Sequence, residues 1–268
     1  MAISTFIPEI WAARLLENYR RNLVFAALAN RNWEGEIQQF GDTVHINSLA
    51  DITVKEYTPN TDIDDPEQLT TTDQVLLIDH GTYFNFYVND VDKVQARGEL
   101  MDAAMRTAAA KMAEDTEDYI VSKIVAGATN KTTGTLTKDT AYEEIVKIKT
   151  AMDEKNVPRA GRHLVVPPSV EGLLLLDDRF VKTGIQAAEN RLVDGAVAKA
   201  AGFTIYVSNA TSDKMVAFNS DAVTFANQIT KTEAYRREKG FDDGVKGLNM
   251  CGAKVVMPDA VFVHTITE

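Results

Sequence analysis

The chain has 268 residues, 45% hydrophobic and 25% charged, a balance that fits a water-soluble globular protein of one or two domains with a sizeable core. Its formal net charge of −11 and pI of about 4.9 argue against nucleic-acid binding as the main task, since such binders need Lys and Arg to displace counterions from phosphates. The longest apolar run, Leu23–Ala29, is too short for a membrane span, no basic leader precedes the first apolar stretch, and a single cysteine, Cys251, excludes an intramolecular disulfide and fits a reducing compartment.

The first 33 residues read as one amphipathic segment. Pro8 suits the first turn of a helix, and Trp11, Leu15, Tyr19 and Leu23 recur every four residues as one apolar stripe. Arg14, Arg20, Arg21 and Arg31 against Glu9 and Glu17 leave the segment locally basic. The stripe fits two arrangements equally: a helix packed on the chain's own core, or an arm that finds its burial elsewhere.

From Glu34 to Asn89 the pattern changes to strands. Val44 and Ile46 alternate, as do Ile52 and Val54, and "QVLLIDHGTYFNFYVND" is dense in β-branched and aromatic residues. Between these runs lies the polar, proline-bearing stretch "TPNTDIDDPEQLTTTD", longer than an ordinary loop. The simplest assembly is a two-stranded excursion with a mobile tip. A lone ribbon of that kind is marginal in water and needs a surface to lie on.

Charge sharpens the point. No Lys or Arg occurs between Lys55 and Lys93, while Glu56, Asp62, Asp64, Asp65, Glu67, Asp73, Asp79, Asp90 and Asp92 are all acidic. Acid runs are most often solvated faces. The sharper alternative is an acidic ribbon meeting a basic surface on another copy, such as the arm's arginines, with complementary potentials fixing the register.

Next comes "ELMDAAMRTAAAKMAEDTEDYIVSKIVAGA", free of proline, with its first glycine at Gly127 and a helical signal reaching back to Asp92. About 35 helical residues make a rod of roughly 50 Å, long against a radius of gyration of about 18 Å for a compact chain of this size. Asp90 or Asp92 can cap its start. Val94, Met101, Met105, Ala108, Met112, Tyr119 and Ile124 trace one face, and Asp102–Arg106 and Lys111–Asp115 are spaced for ion pairs on the wet side. Large residues do not hold a and d positions over several heptads, which excludes a coiled coil.

Residues 128–231 alternate helix and strand signals: a helix with Tyr142, Ile145, Ile148 and Met152 inward, a buried strand at His163–Val166, a short helix capped by Ser169, and a strand from Phe203 to Val207. "KMVAFNS" and "AVTFANQ" read as further short extended pieces. Residues 232–268 return to β, with "KTEAYRRE" alternating and "CGAKVVMPDAVFVHTIT" forming two apolar runs joined at Pro258–Asp259–Ala260. This last sheet is the natural cover for the rod's apolar face.

Chemistry is sparse. The sequence has no phosphate-binding loop, dinucleotide fingerprint, zinc-protease motif, CxxC or nucleophile elbow. His45, His80, His163 and His264 are far apart in strand-like contexts, where a histidine is usually structural. The Asp62, Asp64, Asp65 cluster lacks the later Gly and Glu of a calcium loop. "FDDG" at Phe241–Gly244 reads as a turn, and Cys251 as a buried small hydrophobe. No catalytic residue, metal site or cofactor is assigned.

The order of parts, together with the local text, resembles the tailed-bacteriophage major capsid proteins of the HK97 fold. The likeness is carried by "STFIPEIWAARLLENYRRNLVFAALANRNWEGEIQQFGDTVHI", "YFNFYVNDVDKVQ", "NVPRAGRHLVVPP", "AAGFTIYVSN" and "EAYRREKGFDDGVKGLNMCGAKVVMP". It implies an α+β fold with an N-arm at 1–33, an extended E-loop at 34–90, a peripheral domain at 91–127 and 232–268 built on a spine helix, and an axial domain at 128–231. It also implies a non-enzymatic shell subunit whose main partner is itself, in the hexamers and pentamers of an icosahedral head. The further partners it implies are a portal and non-specifically contacted DNA, with no membrane; whether a decoration protein joins them is left open by the sequence. The location is the virion, reached by assembly in the host cytoplasm. The candidate inter-subunit residues are Trp11, Arg14, Arg20, Arg21, Asp62, Asp64, Asp65 and Glu67. The chain opens at the arm, so a separate scaffolding protein is expected, and nothing around Lys55 or Asn249 matches a crosslinking motif. Two other readings stay open: an encapsulin-like compartment of the same fold, and a soluble α/β enzyme of unrecognised chemistry.

Overall fold

The structure, a computed structural model, describes residues 15, 18–19, 23–33, 43–49, 52–54, 56–57, 59, 62, 65–68, 71–89, 99–177, 198–236 and 242–267. Trp11, Arg14, Arg20, Arg21, Asp64, Lys55 and the expected start of the rod at 91–98 lie outside them.

Alternation builds the ribbon. Strands β1 (Thr43–Leu49) and β2 (Thr71–Leu77) pair antiparallel, with Val44 opposite Leu76 and Ile46 opposite Gln74. Their inward side chains Val44, Ile46 and Leu76 join Ile78, Ala226 and Met250 in a small separate core. The surface on which the base of the ribbon lies is therefore this chain's own sheet.

The run expected to continue the excursion to residue 90 breaks instead at Ile78–Asp79. After it, β3 (His80–Asn89) leaves the ribbon and pairs with β10 (Asp242–Val255), which pairs in turn with β9 (Val223–Arg236) in a three-stranded antiparallel sheet. "FDDG" is not a turn: Asp242 and Gly244 are strand residues opposite Asn89 and Tyr87, and Gly244 is packed beneath the ring of Tyr235.

From Glu99 onward the rod forms as expected. A short helix, α1 (Phe25–Leu28), precedes it, and α2 (Glu99–Gly127) runs 29 residues, about 43 Å at roughly 1.5 Å per residue. It lies on β10, against the face carrying Cys251, Ala253 and Val255. Met250 and Ala226 point to the opposite face, under the ribbon. The close seat at the rod's end needs a glycine, because a Cβ on Gly127 would lie 2.8 Å from Val255 Cγ2. The buried stripe is Met105, Ala109, Met112, Ala113, Ile120, Val121 and Ile124, whereas Ala108 and Tyr119 are half-buried at its margin. Lys111 pairs with Glu114 at 2.5 Å, three residues on, rather than with Asp115.

The second sheet has six strands in the order β4-β11-β8-β5-β7-β6. Its members are β4 (Asn130–Gly134), β5 (Arg162–Val166), β6 (Ala198–Ala200), β7 (Phe203–Val207), β8 (Lys214–Asn219) and β11 (Val261–Ile266). Helix α3 (Ala141–Glu154) buries Ala141, Ile145, Ile148 and Met152, with Tyr142 half-buried. Helix α4 (Pro168–Leu175) starts from Pro167, not from a Ser169 cap, because Pro168 supplies the preset φ of a first helical turn. The two apolar runs around Pro258–Ala260 do not form a hairpin. A 3-10 turn there sends the chain from β10 into the other sheet, where β11 pairs parallel with β4 and antiparallel with β8. The last strand thus closes the inserted α/β unit rather than the rod's sheet, and one continuous core runs through both.

Candidate inter-subunit surfaces

The N-terminal stripe packs on its own chain: Leu15, Tyr19 and Leu23 are buried in the main core. What holds it is a buried acid on the rod. Glu117, 4% exposed, sits between Ala113 and Ile120 in the apolar stripe. Its Oε1 accepts the backbone N–H of Val24 at 3.1 Å and of Ala26 at 3.2 Å, and its Oε2 that of Phe25 at 3.0 Å. These are donors left unpaired by the start of α1, so Glu117 caps that helix across 92 residues of chain. Burial drives its pKa up to about 7, more than the three hydrogen bonds lower it, and the charge of Asp118 adds to the rise.

At the neighbouring rod residue, Thr116, Tyr19 is a hub. Its hydroxyl donates to Thr116 Oγ1 at 3.0 Å and accepts from Asn227 Nδ2 at 2.8 Å and Asn249 Nδ2 at 3.4 Å. Burial raises the phenol to about 12 and the neighbouring Cys251 thiol to about 12, so neither ionises at neutral pH. Asn30 finishes the attachment by exchanging backbone hydrogen bonds with Val223 and Phe225 at 2.9 Å each.

The root of the ribbon is pinned to the other flank of the same rod. Asp79 accepts from Lys123 at 2.8 Å and from the Tyr119 hydroxyl. His80 Nε2 lies 2.7 Å from Asp115 Oδ2, and its ring stacks on Tyr119 with centroids 4.3 Å apart. Burial and then the Asp79 carboxylate push the Tyr119 phenol well above its ordinary range.

Beyond these anchors the chain offers apolar surface to solvent. On the outer legs of the ribbon Ile52 is 65%, Val54 93% and Tyr57 69% exposed, and Val75 and Leu77 face outward from β2. The legs are tied to each other by the Thr53 N–H, which donates to Glu67 Oε2 at 3.1 Å. Asp62, Asp65 and Glu67 are exposed, as expected of a solvated face. On the open face of the three-stranded sheet Tyr83, Tyr87 and Leu248 are exposed, and Tyr83 and Leu248 line a hollow of about 280 Å³ together with Glu233 and Lys246, which pair at 2.8 Å.

The histidines serve structure. His45 meets Asp73 at 2.7 Å, His163 meets Ser220 Oγ at 2.9 Å, and His264 meets Thr132 Oγ1 at 2.9 Å. Among the described residues no group of acid, His and Cys side chains could hold a metal, and no helix is long and apolar enough to cross a membrane. The structure adds Tyr19, Asp79, Thr116, Glu117 and Tyr119 to the residues that matter. Glu117 alone carried a readable signal: a charge centred in an apolar helical stripe.

The exposed ribbon legs and the open apolar sheet face are surfaces that a neighbouring molecule can cover. A family model for phage capsid proteins matches residues 72–264, and the chain belongs to that family. A structure from Mycobacterium phage Che8 is 30% identical, with a TM-score of 0.74 over 90% of each chain. The capsid of cyanophage P-SCSP1u is 15% identical, with a TM-score of 0.70 over 92% of this chain and 88% of that one. A virus-like particle from Pyrococcus furiosus is 13% identical, with a TM-score of 0.60 over 94% and 96%, a likeness of fold alone. No curated protein matches. The protein is a structural major capsid protein of the HK97-like, tailed-phage type.

Proposed function

We propose that copies of this chain close into an icosahedral head of hexamers and pentamers around phage DNA, assembled in the host cytoplasm with a separate scaffolding protein and a portal. The observation that carries the reading is the exposure of Ile52, Val54 and Tyr57 on a projecting ribbon in a chain that also leaves Tyr83, Tyr87 and Leu248 uncovered. Each patch is costly in water alone and is satisfied by head-to-tail contact with a neighbour, which closes into rings when the rotation fits. In this arrangement residues 1–33 serve as N-arm and the ribbon from 34 to 78 as E-loop, while the rod with β3, β9 and β10 serves as peripheral domain and the six-stranded sheet with α3 and α4 as axial domain. Trp11, Arg14, Arg20 and Arg21 of one copy face Asp62, Asp64, Asp65 and Glu67 of another. The protein's work is geometric rather than catalytic, and its net charge of −11 suits a container that contacts DNA without gripping it.

Negative-stain microscopy of the expressed protein, with and without its genomic neighbours, tests this. Closed icosahedral particles that take up DNA when the packaging partners are present are the expected result. A stable monomer at high concentration overturns the reading, and DNA-free particles filled with an enzyme replace it with a cargo compartment.

A further inference from the structure

The capsid fold does not explain why the arm root is held by an acid. An uncharged side chain, such as Gln, could accept hydrogen bonds from the start of α1 without carrying a charge into a site that is 4% exposed. Yet the rod places Glu117 there, and the two carboxylate oxygens are used unequally. Oε1 takes two N–H groups, from Val24 and Ala26, and Oε2 takes one, from Phe25. A proton arriving on Oε2 therefore costs only the Phe25 bond and removes a buried negative charge. The ionised form keeps all three bonds but must be stripped of water.

We propose that Glu117 is a proton-operated latch that docks the arm root, residues 23–30, on the rod more firmly when its carboxyl is neutral and less firmly when it is charged. Burial in an apolar stripe and the like charge of Asp118 set that sign, against the three N–H donors, which favour the charged form. The residues of α1 against it, Phe25 and Ala26, carry no charge, as does Val24 before them. Tyr19 of the arm is a neutral phenol coupled to it, and Cys251 of β10 reaches the same cluster through Tyr19 as a neutral thiol. On the rod itself, Asp118 is a like charge beside it. On β9 and β10, Asn227 and Asn249 present uncharged amides to the Tyr19 hydroxyl. Undocking returns the carboxyl to water and to its ordinary range, so docking takes up a proton. The arm root is thus tightest in acid and loosens as pH rises through neutrality.

With the docked group near 7 and the free group at 4.5, docking weakens roughly 30-fold between about pH 5.5 and pH 8.5. Hydrogen exchange of the full chain, corrected for intrinsic rates, reads this at the amides of Val24, Phe25 and Ala26, with Val165 in β5 as an internal reference. The expected result is a fall in protection of that order at the three amides and none at Val165. Glu117→Gln, which keeps an acceptor oxygen and cannot ionise, should hold those amides at the acid-side level across the range. Protection in the unmodified chain that is flat, or that rises with pH, overturns the latch without reference to any variant. A Glu117→Gln profile parallel to the unmodified one overturns it as well. Neither outcome bears on whether the chain forms shells.

Discussion

Gly252 of β10 lies directly beneath the backbone carbonyl of Leu77, where a Cβ would collide with that oxygen and lie 2.9 Å from Ile78 Cδ1. The end of the ribbon is bolted to the sheet at this crossing. Because the obstacle is main chain, it cannot swing aside as a side-chain tip can. Gly252→Ala is expected to lose about 1–3 kcal/mol through overpacking, read as a lower urea midpoint, with the amides of Leu76 and Ile78 exchanging faster. An unchanged midpoint would mean the ribbon base does not need this contact.

Tyr19→Phe removes one hydroxyl but leaves three partners behind. Thr116 loses a donor, and the Nδ2 groups of Asn227 and Asn249 lose their acceptor in a site where their oxygens are already unpaired. Orphaned buried donors cost about 1–3 kcal/mol. Calorimetry should show that loss, and an equally stable variant would show that the hub contributes packing only.

The ribbon's elbow should respond to acid. Burial alone would raise the Asp79 carboxyl, but the hydrogen bonds from Lys123 and Tyr119, with the charge of Lys123, hold it below its ordinary 3.8. A carboxyl lowered on folding contributes stability above its unfolded value and loses it as pH falls through the folded one. Exchange at His80 and Gly81 should therefore be slow at neutral pH and accelerate below about pH 3.8, beyond its intrinsic change. Asp79→Asn should abolish that acid step.

Assembly and folding should separate at the outer surfaces. Replacing Asp62, Asp64 and Asp65 together by Lys changes a stretch whose described acids, Asp62 and Asp65, are exposed, and Tyr83→Asp changes another exposed position; such substitutions usually stay within about 0.5 kcal/mol. Melting temperature is expected to hold while particle yield falls. Normal yield from the triple variant would remove the acidic ribbon from the list of contacts.

Much of the architecture was legible because local periodicity reports which side of an element is buried. Val44 and Ile46 point to one side of a strand, Ile145, Ile148 and Met152 to one side of a helix, and the proline-free stretch before Gly127 makes the rod. The break between β2 and β3 was not legible: Ile78–Asp79 holds neither proline nor glycine, and the turn is fixed by Asp79 binding Tyr119 and Lys123 some 40 residues away in sequence. Glu117 went unread although it is a charge within the apolar stripe, and its partners, three amides near residue 25, have no signature in sequence.

The sequence by itself determined the parts and their order: a basic amphipathic start, an acidic ribbon, a rod, an α/β unit and a closing β segment. Only the tertiary structure decided how the last segment is shared. Val255 ends in the rod's sheet, whereas Val263, eight residues on, sits between Val216 and Lys131 in the other. An apolar strand is almost equally content beside several others, and its own residues do not choose among them. The choice is made when the vacant place between β4 and β8 is the one that completes both hydrogen-bond ladders and the core beneath them.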